Sequence, residues 1–269
     1  MRYVFVVLVL ALLTGALPAS DLAREQRIAL EVEDAILVGY PLRLQTNELE
    51  FFAIHTESAS ERLLGGAIIL HGRGANPNWM DVVYPLRTEL VESGWETLSI
   101  QMPVAATDAP EGSYQALVAE AFPRIDAAIQ FLRQRQVEVI VLVGHSLGAR
   151  MALEYLAKDT GQHVSAIVAV GLSASREKPA SGTLLALQKV KLPILDIYGS
   201  QDIEPVLSTA TERASEARRA ENRDYRQVEV LGADHFFSGL DDELVKRVRA
   251  WLQRTISERA AAPPLVGES

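Results

Sequence analysis

From Gly66 onward the chain alternates two hydrophobic rhythms. Short, largely apolar runs recur at Ala67–Leu70, Thr97–Ile100, Val137–Val143, Ala166–Val170, Ile194–Tyr198 and Gln227–Leu231. Their brevity and β-branched content predict strands buried on both faces. Between them lie longer segments with apolar residues at helical spacing, predicting helices at Trp79–Ser93, Tyr114–Arg135, Leu147–Lys158, Val206–Asn222 and Asp241–Ser257. Pro123 is expected to kink or split the second helix, because it has no amide hydrogen to donate. The alternation implies an α/β fold: a mostly parallel central sheet with helices on both faces. Ahead of it, a charged lead-in and two weaker alternations predict early strands at Pro41–Gln45 and Leu49–His55.

The first residues break this rhythm. "MRYVFVVLVLALLTGALPAS" has one cationic residue, Arg2, an apolar stretch from Tyr3 to Leu13, and then small or turn-forming residues. That is the pattern of a signal peptide over residues 1–19, with cleavage after Ala16 or Ala19. The apolar run falls short of the roughly 20 residues a spanning helix needs, so no stable membrane span is expected once the signal is removed. The expected organisation is one α/β domain over 20–256 and a flexible tail over 257–269, where Pro, Gly and small residues collect. A chain of 269 residues that is 48% hydrophobic can bury such a core, and with no cysteine it does so without disulfides. The net charge of −9 supplies no basic field for phosphates, which sets nucleic-acid partners aside. The expected location is periplasmic or secreted.

The sharpest chemical signal is "VLVGHSLGAR", Val141–Arg150. Gly144 and Gly148 flank Ser146 in a G-x-S-x-G pattern, behind an apolar strand and ahead of the good helix formers "ARMALEYLA". A serine on such a tight strand-to-helix turn is presented as a nucleophile. G-x-G-x-x-G and the Lys-Ser pair of a phosphate-binding loop are both absent. A serine hydroxyl needs a base, and the base needs an orienting carboxylate. With this motif the order along the chain is serine, acid, histidine. "LPILDIYGSQD" then supplies Asp202 and "VEVLGADHFF" supplies His235, each just past a predicted strand. Asp196, inside a strand, reads as a structural carboxylate, Glu204 as a solvated one and Asp234 as a loop-shaping residue. His145 reads as a packing residue beside the nucleophile rather than a base.

Attack on a carbonyl places negative charge on its oxygen, which fixed amide donors can hold. The Leu147 N–H is one candidate. The second comes from "LHGRGANPNW", where His71, Gly72, Arg73 and Gly74 form a turn after a strand and Arg73 offers its N–H. His71, Gly72, Gly74 and His145 are the candidate substrate-binding residues. The Arg73 side chain stays open between recognising an anionic part of the substrate and pairing with a carboxylate such as Asp81 or Asp108.

In "LHGRG", "GHSLG", "YGSQD" and "GADHFF", in that order over Gly65–Ile256, the chain resembles the α/β-hydrolase superfamily. Its stretch "HGRGANPNWMDVVYPLRTELVESGW" is similar to a group of exported bacterial proteins of unknown activity. The resemblance implies a triad of Ser146, Asp202 and His235, with no cofactor and no metal. The interval Gly171–Lys191 is too short for a lid domain, so a small or absent lid and a fairly open cleft are expected. The expected activity is that of an exported serine hydrolase, carboxylesterase-like, cleaving small or medium acyl esters through an acyl-enzyme. Thioesters and amides are less favoured, and the acyl chain, leaving group and oligomeric state are left open. The alternative is a non-catalytic envelope binding or assembly protein on the same scaffold.

Overall fold

The two-sided apolar runs form the centre of one sheet. The computed structural model describes residues 19–110, 112–158, 163–175 and 182–261. Its strands are β1 (Tyr40–Gln45), β2 (Glu50–Thr56), β3 (Gly65–Leu70), β4 (Trp95–Ile100), β5 (Ile140–His145), β6 (Val164–Val170), β7 (Ile194–Gln201) and β8 (Tyr225–Asp234). They lie in the order β1-β2-β4-β3-β5-β6-β7-β8. β1 pairs antiparallel with β2 and β2 with β4, while every pairing from β4 to β8 is parallel.

The period-two alternation within each strand divides the core. On one face Ile68, Leu70 and Leu142 pack with Leu117, Ile125 and Ala128 of α3 (Ser113–Gln134), Met151 of α4 (Leu147–Leu156) and Leu187 of α5 (Gly182–Lys189). On the other, Ala67, Ile69 and Val143 pack with Val83 and Leu86 of α2 (Val83–Glu89) and Leu244, Val248 and Leu252 of α8 (Asp241–Ala261). Burial of these rows drives the two layers onto the sheet.

Several helix boundaries differ from those the periodicity predicts. The helix expected over Trp79–Ser93 begins only at Val83 and gives way to a 3-10 turn at Leu90–Ser93. Val82 sits at φ 56°, and the buried Arg87 guanidinium donates to Val38 O at 2.6 Å and Asn78 Oδ1 at 2.6 Å, tying the preceding loop to the domain. Pro123 does not split α3, which continues from Ser113 to Gln134 because Leu117, Ala121, Ile125 and Leu132 are buried on both sides of it. The segment Val206–Asn222 is two helices, α6 (Glu204–Leu207) and α7 (Ala210–Arg219), broken where Thr209 Oγ1 turns back to the Pro205 carbonyl. α8 runs to Ala261, so the start of the expected tail is helical. The charged lead-in forms α1 (Leu22–Glu33), whose Glu25 is buried in a 2.7 Å ion pair with Arg124 of α3. Most of the expected signal peptide lies outside the described residues. Its last residue, Ala19, and the following Ser20 donate their N–H groups to the Glu120 carboxylate.

The fold positions the site through a simple consequence of parallel pairing. β3, β5, β6, β7 and β8 all end at the same edge, so the residues following them meet there.

Candidate active site

β5 is buried throughout, and its last residue, His145, leads directly into Ser146 at φ 53°, ψ −116°. Left-handed geometry at a non-glycine residue is strained, and α4 begins at the next position. The turn is possible only because its neighbours are small. A Cβ at Gly148 would collide with the carbonyl oxygen of Leu70, and one at Gly144 with the Ala149 backbone. The Ser146 N–H bonds Val170 O at 2.8 Å, fixing the turn to the end of β6.

Asp202 follows β7 and is 5% exposed. Its carboxylate accepts the Ile203 N–H at 2.8 Å and the Gly199 N–H at 3.3 Å. His235 follows β8 and donates Nδ1–H to Asp202 Oδ1 at 2.6 Å. Its Nε2 then faces the Ser146 hydroxyl at 3.0 Å. With Nδ1 holding the proton, Nε2 presents a lone pair to the serine O–H. Three side chains 33 and 89 positions apart in sequence thus form one hydrogen-bonded line.

Gly171, which no motif in the sequence marks, makes room for this line. It lies just past β6 at φ 59°, and a Cβ there would stand 2.9 Å from His235 Cε1. The "AVGLS" turn carries the glycine in plain view, but nothing local says which ring it must clear.

His145 and His71 occupy different places from those expected of substrate-binding residues. His145 is 3% exposed and donates Nε2–H to the His235 carbonyl at 3.0 Å, its ring 4.9 Å from the His235 ring. Burial, with a smaller contribution from nearby His235, lowers its pKa to about 4. It therefore stays neutral near pH 7 and sets no charge against the His235 imidazolium. His71 is 2% exposed. Its Nδ1–H donates to Gly72 O at 2.9 Å, while Nε2 accepts the Met102 N–H at 3.0 Å and lies 3.0 Å from Gln101 Nε2. Burial lowers its pKa to about 4 as well. Both imidazoles are braces turned inward rather than groups facing the cleft. Their backbone partners, the Gly72 and His235 carbonyls, are contacts that periodicity cannot reveal, although the packing place read for His145 is the one it occupies.

Gly72 and Gly74 lie on the cleft side. A Cβ at Gly72 would stand 3.0 Å from Ser146 Cβ, so this loop passes directly over the nucleophile, and Gly74 turns it at φ 74°. The Arg73 guanidinium lies 4.0 Å over the Tyr114 ring. The Leu147 N–H opens α4 and has no acceptor among the described residues, leaving it available at the helix's positive end. Phe236 and Ile203, adjacent to His235 and Asp202, are 40% and 45% exposed and give the rim apolar surface. Leu185 of α5 is exposed while Leu187 belongs to the core.

The carboxylates set aside from sequence occupy other roles. Asp196 is fully buried against Arg213, Tyr225 and Gln227. Glu204 starts α6 and is exposed. Asp234 accepts N–H bonds from Phe236 at 2.9 Å and Ser238 at 3.0 Å, shaping the loop that carries His235. Among the described residues, one group brings three acidic ligand atoms within 4.8 Å of one another: Glu89, Asp241 and Asp242, at the α2–α8 contact.

Comparison with known proteins agrees with this layout at the level of fold. A family described as "Protein of unknown function (DUF3530)" matches residues 41–121 and 105–254. No curated protein matches the chain. Among solved structures, Est1E from Butyrivibrio proteoclasticus is similar at a TM-score of 0.63 and 14% identity, over 81% of this chain and 99% of Est1E. An alpha-beta serine hydrolase homologue from Coxiella burnetii has a TM-score of 0.62 at 20% identity, over 80% of this chain and 98% of its own. A dienelactone hydrolase from Anabaena variabilis has a TM-score of 0.66 at 20% identity, covering 80% and 97% respectively. At these identities the likeness is one of fold, that of the α/β hydrolases.

Proposed function

The chain belongs to the DUF3530 family of proteins of unknown function, within the α/β-hydrolase superfamily, and from that premise we propose that it is an exported serine hydrolase of carboxylesterase type. The observation that carries the reading is the line from Ser146 Oγ through His235 to Asp202, with contacts of 3.0 and 2.6 Å. The esterase and hydrolase names among its structural neighbours support the same reaction class.

The chemistry follows from the proton positions. As Ser146 Oγ bonds to the carbonyl carbon of an ester, its proton passes to His235 Nε2, and Asp202 stabilises the resulting imidazolium. The carbonyl oxygen, now anionic, accepts the Leu147 N–H and the Arg73 N–H, each such donor contributing about a hundredfold or more to turnover. His235 returns the proton to the departing alkoxide, which leaves as the alcohol. Water then attacks the acyl-serine with the same imidazole as base, releasing the acid and restoring Ser146. No cofactor or metal enters these steps. The proposed substrates are esters of small or medium acyl groups, ahead of thioesters or amides, with exposed Phe236 and Ile203 beside the triad residues offering apolar surface to the acyl part.

The signal-peptide pattern of residues 1–19 supports a periplasmic or secreted location. No helix among the described residues is long and apolar enough to cross a membrane. Hydrolysis of a chain-length series of nitrophenyl esters, run on the wild type and on Ser146→Ala, tests the activity. Turnover that vanishes with the serine is the expected result. A folded wild type inactive across the series would contradict it. Export is tested separately by the N-terminal residue of protein recovered from the periplasm or medium.

A further inference from the structure

At the opposite end of the sheet from Ser146, the start of β7, the start of β8 and one face of α8 border a half-open groove of about 650 Å³. Four arginines line it, Arg223, Arg226, Arg247 and Arg254, against one carboxylate, Asp224. Arg247, Trp251 and Arg254 share a stripe of α8 at helical spacing. Arg226 stands on β8 opposite Leu195, at the outer edge of the sheet.

The pairing of these arginines sets them apart. Elsewhere on this acidic surface, guanidiniums such as Arg43, Arg150 and Arg219 hold glutamates at 2.7 Å or less. Within the cavity only Arg247 does so, contacting Glu243 through Nε and Nη2 at 2.7 Å. Arg223, Arg226 and Arg254 take no hydrogen bond or ion pair among the described residues, and Asp224 lies beyond salt-bridge reach of each. A chain of net charge −9 thus gathers four arginines around one concavity, three of them without an ion pair among the described residues. That arrangement presents a local positive field to an incoming anion. An anion with several negative charges gains most from three guanidiniums near one carboxylate, and guanidinium forks match phosphate oxygens in geometry.

We propose that this groove is a binding site for a phosphate-bearing anion, separate from the hydrolytic site. Its ligand is either a soluble phosphorylated molecule or the phosphate headgroup of an anionic lipid. Guanidinium–phosphate bonds supply the affinity, and the apolar floor of Leu195, Val228 and Trp251 accommodates the remainder of the ligand.

Calorimetric titration with inorganic pyrophosphate, and co-flotation with phosphatidylcholine vesicles with and without phosphatidylglycerol, separate the two sources. The proteins compared are the wild type, Arg226→Gln/Arg254→Gln and Arg226→Lys/Arg254→Lys. The glutamine pair is expected to bind about tenfold more weakly for each arginine removed, with the lysine pair intermediate and nitrophenyl-ester turnover unchanged in all three. Both arginines are exposed, so the variants should fold, which their thermal midpoints verify. Pyrophosphate binding lost in the glutamine pair supports a soluble ligand, and phosphatidylglycerol-dependent flotation lost in the same pair supports a headgroup. Binding of neither probe by the wild type, or equal binding by all three proteins, would overturn the proposal.

Discussion

Two aspartates of one strand-and-turn, Asp196 within β7 and Asp202 just past it, are 0% and 5% exposed, yet their surroundings differ in kind. Asp196 accepts from Arg213 Nε at 2.8 Å, Tyr225 OH at 2.6 Å and Gln227 Nε2 at 2.9 Å. The permanently charged Arg213 and Tyr225, whose pKa burial and the adjacent Asp196 raise, keep their protons at ordinary pH. Asp202 instead holds an imidazole, whose far nitrogen reaches a serine hydroxyl. Burial alone therefore does not mark a carboxylate as chemical. What its partner touches next does.

The comparison breaks most sharply by mutation. Ser146→Ala or Asp202→Asn should lower ester turnover by about 10⁴-fold or more while leaving the thermal midpoint nearly unchanged. Asp196→Ala should do the reverse. It leaves Arg213 buried without its counter-charge, so chemical denaturation should register a loss of about 3–5 kcal/mol, with turnover per folded molecule retained. If Asp196→Ala abolished catalysis without destabilising the protein, the division between the two carboxylates would be wrong.

The buried histidines sharpen the contrast from a third side, being titratable groups held neutral. Their folded pKa values of about 4 lie below the unfolded value of 6.5. Between those limits the unfolded chain binds more protons than the folded one, so stability falls as pH drops from about 6.5 towards 4. Each contributes on the order of 3 kcal/mol to that fall. Urea midpoints measured across this range should decline with acid, and the decline should be shallower in His145→Gln.

The smallest effect concerns the bond from His145 to the His235 carbonyl. His145→Ala should reduce kcat about tenfold with little change in KM, because it loosens the base without touching substrate. His145→Gln, which keeps a donor, should recover part of that loss. Equal rates in both variants would make the brace irrelevant.

What the sequence disclosed and what it withheld follow one rule. Strands buried on both faces announced themselves, because parallel pairing between helical layers demands unbroken apolar runs such as "AIIL" and "VIVLV". Ser146, Asp202 and His235 stood out because each follows a predicted strand in the expected order, the last of them an edge strand that is only partly buried. Features decided by distant partners stayed hidden. α1 looks too charged to dock until Glu25 meets Arg124, 99 positions away. Val82 carries a positive φ amid a good helical rhythm because the loop before it is tied to Arg87 through Asn78. His71 reads as a cleft residue from its neighbours in sequence, and His145 as both a packing residue and a cleft candidate; the carbonyls they hold turn both inward.

The most direct test of the account is the intact mass and peptide map of the protein after exposure to a fluorophosphonate. The account predicts one adduct per chain, located on Ser146 and absent from Ser146→Ala. An adduct on another serine, or none on a folded wild type, would contradict it.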